Sequence, residues 1–242
     1  MNIAGFSDKG LVRNSNQDAF LTGEMDDGAV FAVVCDGMGG ANGGNVASRL
    51  GVDHFSAALK AGWRSGMSEN SIRNLLITAI NAANIRIFDK SRESQEFNGM
   101  GTTIVAVLVV KKTVYFIHAG DSRGYIFSNG ELNQITRDHS IVQSMIEDGK
   151  ITLEEARFHP RKNVITRALG VDESVQPEFN VYNLNDGDII LLCTDGLSNY
   201  VESKKIIECF NSKSDTKAED LVELANNNGG GDNITAVVLE NI

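Results

Sequence analysis

Seven stretches of this 242-residue chain read as β-strands, at residues 29–35, 103–110, 113–118, 124–127, 131–135, 188–193 and 234–239. Several are nearly unbroken runs of Val, Ile, Ala and Leu, without the polar alternation of a strand that has one face in water. Such strands are covered on both faces, so the chain must build layers on either side of them. Short links join them: Lys111-Lys112 separates two runs, and Ser128-Asn129-Gly130 carries the Asn-Gly step of a hairpin turn. Helical periodicity falls in 44–60 and 69–90, the second with an apolar stripe of Ile72, Leu75, Leu76, Ala79, Ile80, Ala83 and Ile87. Shorter helices are expected at 140–148, 153–157, 203–210 and 217–226, with capping boxes at Thr152/Glu155 and Thr216/Glu219. The helices cluster between blocks of antiparallel strands, which favours an α+β sandwich over a doubly wound parallel sheet.

Composition bounds the function. With 42% hydrophobic and 22% charged residues the chain can build a substantial core, and with no repeats or linkers it reads as one domain, residues 1–242. A formal charge of −10 argues against a general nucleic-acid binder. No apolar run approaches a membrane span, and the first residues lack the pattern of a signal peptide. Cys35, Cys193 and Cys209 have no CxxC spacing and read as small buried hydrophobes, which suits the cytoplasm. Four scattered histidines make structural zinc a poor expectation.

The chemistry is carried by acids at strand ends. Asp36 follows Phe31-Ala-Val-Val-Cys35 and precedes Gly37; Asp195 follows Ile189-Ile-Leu-Leu-Cys-Thr194 and precedes Gly196. Asp121 follows Tyr115-Phe-Ile-His-Ala-Gly120, and Asp232 follows three glycines and opens the last strand. One Asp-Gly after a strand is an ordinary turn. Four such acids beside buried strands need cationic partners, and only Arg123 near Asp121 is close in sequence. Carboxylate, carbonyl and water form a hard oxygen site for Mg²⁺ or Mn²⁺, and no EF-hand spacing is present. Paired cations of this kind lower the pKa of water and stabilise a phosphoryl oxygen. In the segment 7–18, Arg13 suits a phosphate dianion and Asp18 the water shell of a metal. Gly37, Gly39, Gly40, Gly43 and Gly44 match neither a P-loop nor GxGxxG and read as an approach to a helix start.

Eight segments in order, SDKGLVRNSNQDAF, VVCDGMGGANGG, GMGTTIVAV, HAGDSRGYIF, TRDHSIVQ, HPRKNVITRALG, LLCTDGLSN and GGGDNITAVVL, together resemble the PPM family of type-2C metal-dependent protein Ser/Thr phosphatases. The likeness is to the short bacterial members that oppose Hanks-type kinases. It implies an αββα four-layer sandwich, two central antiparallel sheets flanked by helices, with a flap at about 137–170. It also implies two catalytic cations, Mn²⁺ or Mg²⁺, bridged by Asp36 and joined by the Gly37 carbonyl, Asp195 and Asp232. By the same resemblance Asp18 holds a metal-bound water, Arg13 grips the substrate phosphate, and Asp121 with Asp195 forms a third, weaker cation site. Water bridging the two cations would be the nucleophile, acting on phosphoprotein substrates that include a Ser/Thr kinase and its targets. The expected enzyme is monomeric, with no nucleic-acid or membrane partner.

Three departures bear on this. Met38 stands where animal members have His, so the acid for the leaving group is unassigned; Ala41 replaces a His of many bacterial relatives; Asn199 replaces an acid of some, which would loosen the third cation. A non-catalytic scaffold and a phosphatase for one small anti-sigma antagonist remain as rival readings. His118 reads as a buried, satisfied histidine, and Asp138-His139-Ser140 as a helix cap. Arg157, His159, Arg161, Lys162 and Arg167 form the one basic stretch, a solvated face that would also recruit acidic segments of a substrate.

Overall fold

The structure is a computed structural model and describes residues 1–241, the side chains of Ala41 and Asn42 excepted; the expectation attached to Ala41 lies outside the described residues. Eleven strands occur among these residues: β1 Asn2–Asp8, β2 Asp18–Glu24, β3 Val30–Met38, β4 Gly101–Thr102, β5 Ile104–Val110, β6 Thr113–Ala119, β7 Arg123–Ser128, β8 Glu131–Gln134, β9 Glu178–Asn183, β10 Ile189–Cys193 and β11 Ile234–Glu240. Seven α-helices join them: α1 Gly40–Gly62, α2 Glu69–Ser91, α3 Ile141–Glu147, α4 Leu153–Arg157, α5 Asp195–Ser198, α6 Ser203–Phe210 and α7 Lys217–Asn227. One sheet runs β1-β11-β10-β7-β8 and the other β2-β3-β5-β6-β9, with β4 paired to β3. All the named strand pairs are antiparallel.

The unbroken apolar runs now have their reason. In β3, Phe31, Val33 and Cys35 pack with Phe55, Leu59 and Leu76 of α1 and α2, whereas Val30, Ala32 and Val34 meet Ile190, Leu192, Val237 and Leu239 of the other sheet. A third cluster joins Leu191, Cys193 and Ala236 to Ile206, Leu221 and Val222 of α6 and α7. Three cores between four layers make the αββα sandwich. The α2 stripe is buried along its whole length, and Ser68 caps that helix by accepting from the Ser71 amide at 3.3 Å. Asn129 and Gly130, at φ 53° and 82°, form the expected hairpin turn.

Besides the two-residue β4, three strands had no counterpart in the apolar pattern: β1, β2 and β9. All lie at sheet edges and are largely half-exposed, so polar residues and the glycines Gly5 and Gly23 interrupt them. The capping box at Thr152/Glu155 is present with both bonds. That at Thr216/Glu219 is not: Thr216 has φ −115° and ψ 38°, away from the extended cap conformation, and its hydroxyl donates to Asp220. All three cysteines are free and buried. No helix of the described residues is long and apolar enough to cross a membrane.

Candidate metal centre

Both sheets deliver acids to the same edge. The β2–β3 register sets Asp18 opposite Asp36, and the β10–β11 register sets Cys193 opposite Ala236, which brings Thr194-Asp195 beside Asp232–Thr235. The sheets are tied there by two hydroxyls: Thr235 and Thr194 both donate to Asp18 Oδ2, at 2.7 and 2.9 Å. Asp121 arrives from the end of β6 through Gly120, whose φ of 118° only glycine adopts readily.

Two glycines do a different job from the one the sequence implies. β3 continues through Asp36 and Gly37 to Met38, so there is no bend at Asp36. A Cβ on Gly37 would collide with the Gly44 carbonyl, and one on Gly196 with the Asn233 carbonyl. These positions are glycine because backbones meet there. Close approach, not a turn, sets the acids side by side.

Buttressing residues complete the edge. Thr102 Oγ1 and the Thr103 amide both donate to the Asp36 carbonyl, at 2.8 and 2.9 Å, while the Asp36 amide donates to Thr103 Oγ1 at 3.0 Å. Asn233 accepts from the Gln17 amide and donates to the carbonyls of Lys9 and Ser15, pinning the segment that carries Arg13. None of these roles can be read from the local pattern, because each partner comes from a distant part of the chain. The Asn in Asp232-Asn233 and the paired threonines of 102–103 were the available signals.

The electrostatics are those of a site lacking positive charge. Burial, with the charges of Asp18, Asp195, Asp121 and Asp232, holds the Asp36 carboxyl well above the usual range. Burial also pushes Asp18 up to about 7, against the hydrogen bonds from Thr235 and Thr194, and Asp121 to about 7. Asp195 rises to about 6 through burial and the charge of Asp232. Asp18 Oδ1 is buried with no hydrogen-bond partner.

Basic residues differ from expectation in two places. Arg13 Nη2 donates to Asp232 Oδ2 at 2.8 Å, so Asp232 does have a cationic neighbour. Arg123 pairs with Asp138 through Nε and Nη2 rather than with Asp121. Asp138 is therefore an ion-pair partner, while Ser140 is the residue that caps α3. Asn199 donates to Asp195 Oδ2 at 3.0 Å. His118 is buried and its Nε2 bonds the Arg137 carbonyl, but its Nδ1 has no partner.

A family model described as protein phosphatase 2C matches residues 12–229. The serine/threonine phosphatase stp of Listeria monocytogenes serotype 4b is 38% identical over 236 residues, covering 97% of this chain and 93% of that one. The serine/threonine phosphatase of S. agalactiae is similar at a TM-score of 0.90 and 35% identity, covering 98% of both chains. The catalytic domain of the serine/threonine protein phosphatase PstP, solved in complex with 2 manganese ions, is similar at a TM-score of 0.85 and 36% identity, covering 98% of this chain and 96% of that one. With most of its length matched, sandwich and all, this chain belongs to the protein phosphatase 2C family of serine/threonine phosphatases.

Proposed function

We propose that the enzyme hydrolyses phosphoserine and phosphothreonine in proteins with Mn²⁺ or Mg²⁺ at Asp18, Asp36, Gly37, Asp121, Asp195 and Asp232, and that it reverses bacterial Ser/Thr kinase signalling. The observation that carries this is the crowding of five carboxylates at one sheet edge. Asp18 Oδ1 is left without a partner there, and the Arg13 guanidinium, bonded to Asp232, is the cation in contact. The donors are all oxygen, which fits a hard divalent cation. When bound, two such cations would supply Lewis-acid activation of water and neutralise phosphate charge.

The chain's own residues supply orientation and binding. Thr194 and Thr235 fix Asp18, and Thr102 and Thr103 fix the backbone of Asp36. Arg13, with its side chain 54% exposed, presents a planar guanidinium for a phosphate dianion once it releases Asp232. We assign neither His118 nor His139 as the acid for the leaving oxygen, since both are buried, with His118 Nε2 on the Arg137 carbonyl and His139 Nδ1 on the Gly120 amide. We place this enzyme in the cytoplasm as a monomer, where its buried thiols suit a reducing medium. Hydrolysis of a phosphothreonine peptide should vanish in EDTA and return with Mn²⁺; a rate unchanged by chelation would sink the reading.

Substrate protein would extend from this edge into a cavity of about 460 Å³ lined by Asp121, Asp195, Ile146, Phe158, Arg157 and Lys162 among others. Arg157, Arg161 and Lys162 are exposed, as expected, but Arg167 turns inward to His139 and the Gln176 carbonyl. Of the cations lining that cavity Arg123 is engaged by Asp138, so Arg157 and Lys162 are the ones free to face an acidic or phosphorylated segment. Charge reversal at both should raise KM for a phosphoprotein about tenfold, as expected on replacing two attractive charges by repulsive ones, and spare a small aryl phosphate. Equal effects on the two substrates would contradict a docking role.

A further inference from the structure

Behind the acidic edge lies a buried polar cluster that the proposed chemistry does not use: His118, His139 and Glu178, whose ligand-type atoms lie within 4.8 Å of one another. It is poorly suited to a metal. Arg167 reaches His139 Nε2 at 3.0 Å and Glu178 at 3.5 Å, and Arg137 reaches Glu178 at 3.6 Å, so guanidinium groups already occupy the cation's place.

His139 is instead joined to two segments at once. Its Nδ1 accepts from the Gly120 amide at 3.1 Å, and its own amide donates to the Gly120 carbonyl at 2.9 Å. Both backbone groups of the residue before Asp121 are thus held by one partner. Gly120 has little freedom to slip, since a Cβ there would press on Thr103, itself bonded to the Asp36 backbone. On its other side the His139 carbonyl accepts from the Thr166 amide at 2.7 Å, and Ile141 donates to the Val164 carbonyl at 2.9 Å. Ser140 and Ile165 form an isolated β-bridge alongside. The ring is 4% exposed and stacks on His118 at 4.6 Å and 7°. Because an amide can only donate, Nδ1 carries the lone pair and the proton is assigned to Nε2, which donates to Glu178 at 3.2 Å; Arg167 Nη1, also only a donor, then lies beside Nε2 without bonding it and donates to the Gln176 carbonyl.

We infer that His139 is a positioning residue that clamps the Gly120–Asp121 turn to residues 164–167, so that the posture of this segment sets the affinity of the weaker cation at Asp121. This rests on the reading of Asp121 and Asp195 as a cation site. Lys162 and Asp121 both line the substrate cavity, and His139 joins the segment after Lys162 to the backbone before Asp121, so the clamp links two walls of that cavity.

Two near-isosteric variants test the clamp on the whole chain. In His139→Asn the side-chain oxygen takes the position of Nδ1 and still accepts from Gly120; in His139→Gln the oxygen extends toward Nε2 and does not. Mn²⁺ isotherms and hydrogen exchange are compared with the wild type. His139→Gln should weaken the lowest-affinity Mn²⁺ class about tenfold, the usual loss on removing an outer partner of a ligand, and leave tighter sites unchanged. Amides of 120–122 and 164–167 should exchange faster together in His139→Gln, and His139→Asn should restore both readouts. Wild-type binding and protection in His139→Gln would overturn the proposal, as would equal damage in the two variants. If the wild type binds no weaker class of Mn²⁺, the cation reading of Asp121 falls and exchange decides the clamp alone: joint acceleration reversed by Asn supports it, and its absence refutes it.

Discussion

Asp36→Asn should reduce hydrolysis of a phosphothreonine peptide by roughly a thousandfold, the scale of losing an essential catalytic group, while making the metal-free chain more stable. The substitution keeps the shape of the side chain. The backbone bonds that hold residue 36, from Thr102 and Thr103 to its carbonyl and from its amide to Thr103, do not involve the carboxylate. What is lost is one negative charge that burial and four neighbouring aspartates make costly without a counter-ion. Removing it relieves the metal-free protein and deprives the cations of the residue proposed to bridge them. Peptide kcat/KM and urea unfolding in EDTA would be measured on both proteins. A variant that is inactive because it is unfolded would contradict this account, and so would one with wild-type rates.

Metal-free enzyme should lose stability as pH rises from about 6.5 to about 8, by roughly 2–4 kcal/mol. Asp36 is held well above the normal range, Asp18 and Asp121 lie at about 7, and Asp195 at about 6. Each of these carboxyls keeps its proton in the folded state at pH values where the unfolded chain has already lost it. The folded state therefore binds more protons, and its stability falls as pH climbs through the folded pKa values. Burial lowers His118, and it lowers His139 to about 4, which works in the opposite direction. That opposition is half spent near pH 6.5 and fades by about pH 7.5, where the imidazoles of the unfolded chain are also neutral, and the four carboxyls outweigh it throughout. Saturating Mn²⁺ should abolish the decline, because the ions favour the deprotonated carboxylates. Urea midpoints in EDTA at three pH values across this window check the sign; a flat or rising profile would contradict it.

Much of the sandwich was legible because doubly covered strands leave no room for polar residues, as β3, β5, β10 and β11 show. The edge strands β1, β2 and β9 were not, since a half-exposed edge tolerates the residues of a loop. Asp36, Asp121, Asp195 and Asp232 could be picked out by their common place beside apolar runs, and Arg13 and Asp18 by family resemblance. That Gly37 and Gly196 make room for a passing backbone could not be read, because the carbonyls they admit belong to Gly44 and Asn233, placed by the fold. The same holds for Thr194, Thr235 and His139, whose partners lie on other elements. Local pattern reveals which residues are unusual; packing decides what each one touches.

The central claim is that the carboxylates of one sheet edge hold the cations on which hydrolysis depends. Titrating metal-free protein with Mn²⁺ while recording bound ion and phosphothreonine-peptide hydrolysis together tests it most directly, with Asp36→Asn run in parallel. Activity should rise in step with the tight Mn²⁺ sites of the wild type, and the variant should lose both. Full Mn²⁺ binding by Asp36→Asn, or hydrolysis by the wild type before any ion is bound, would contradict it.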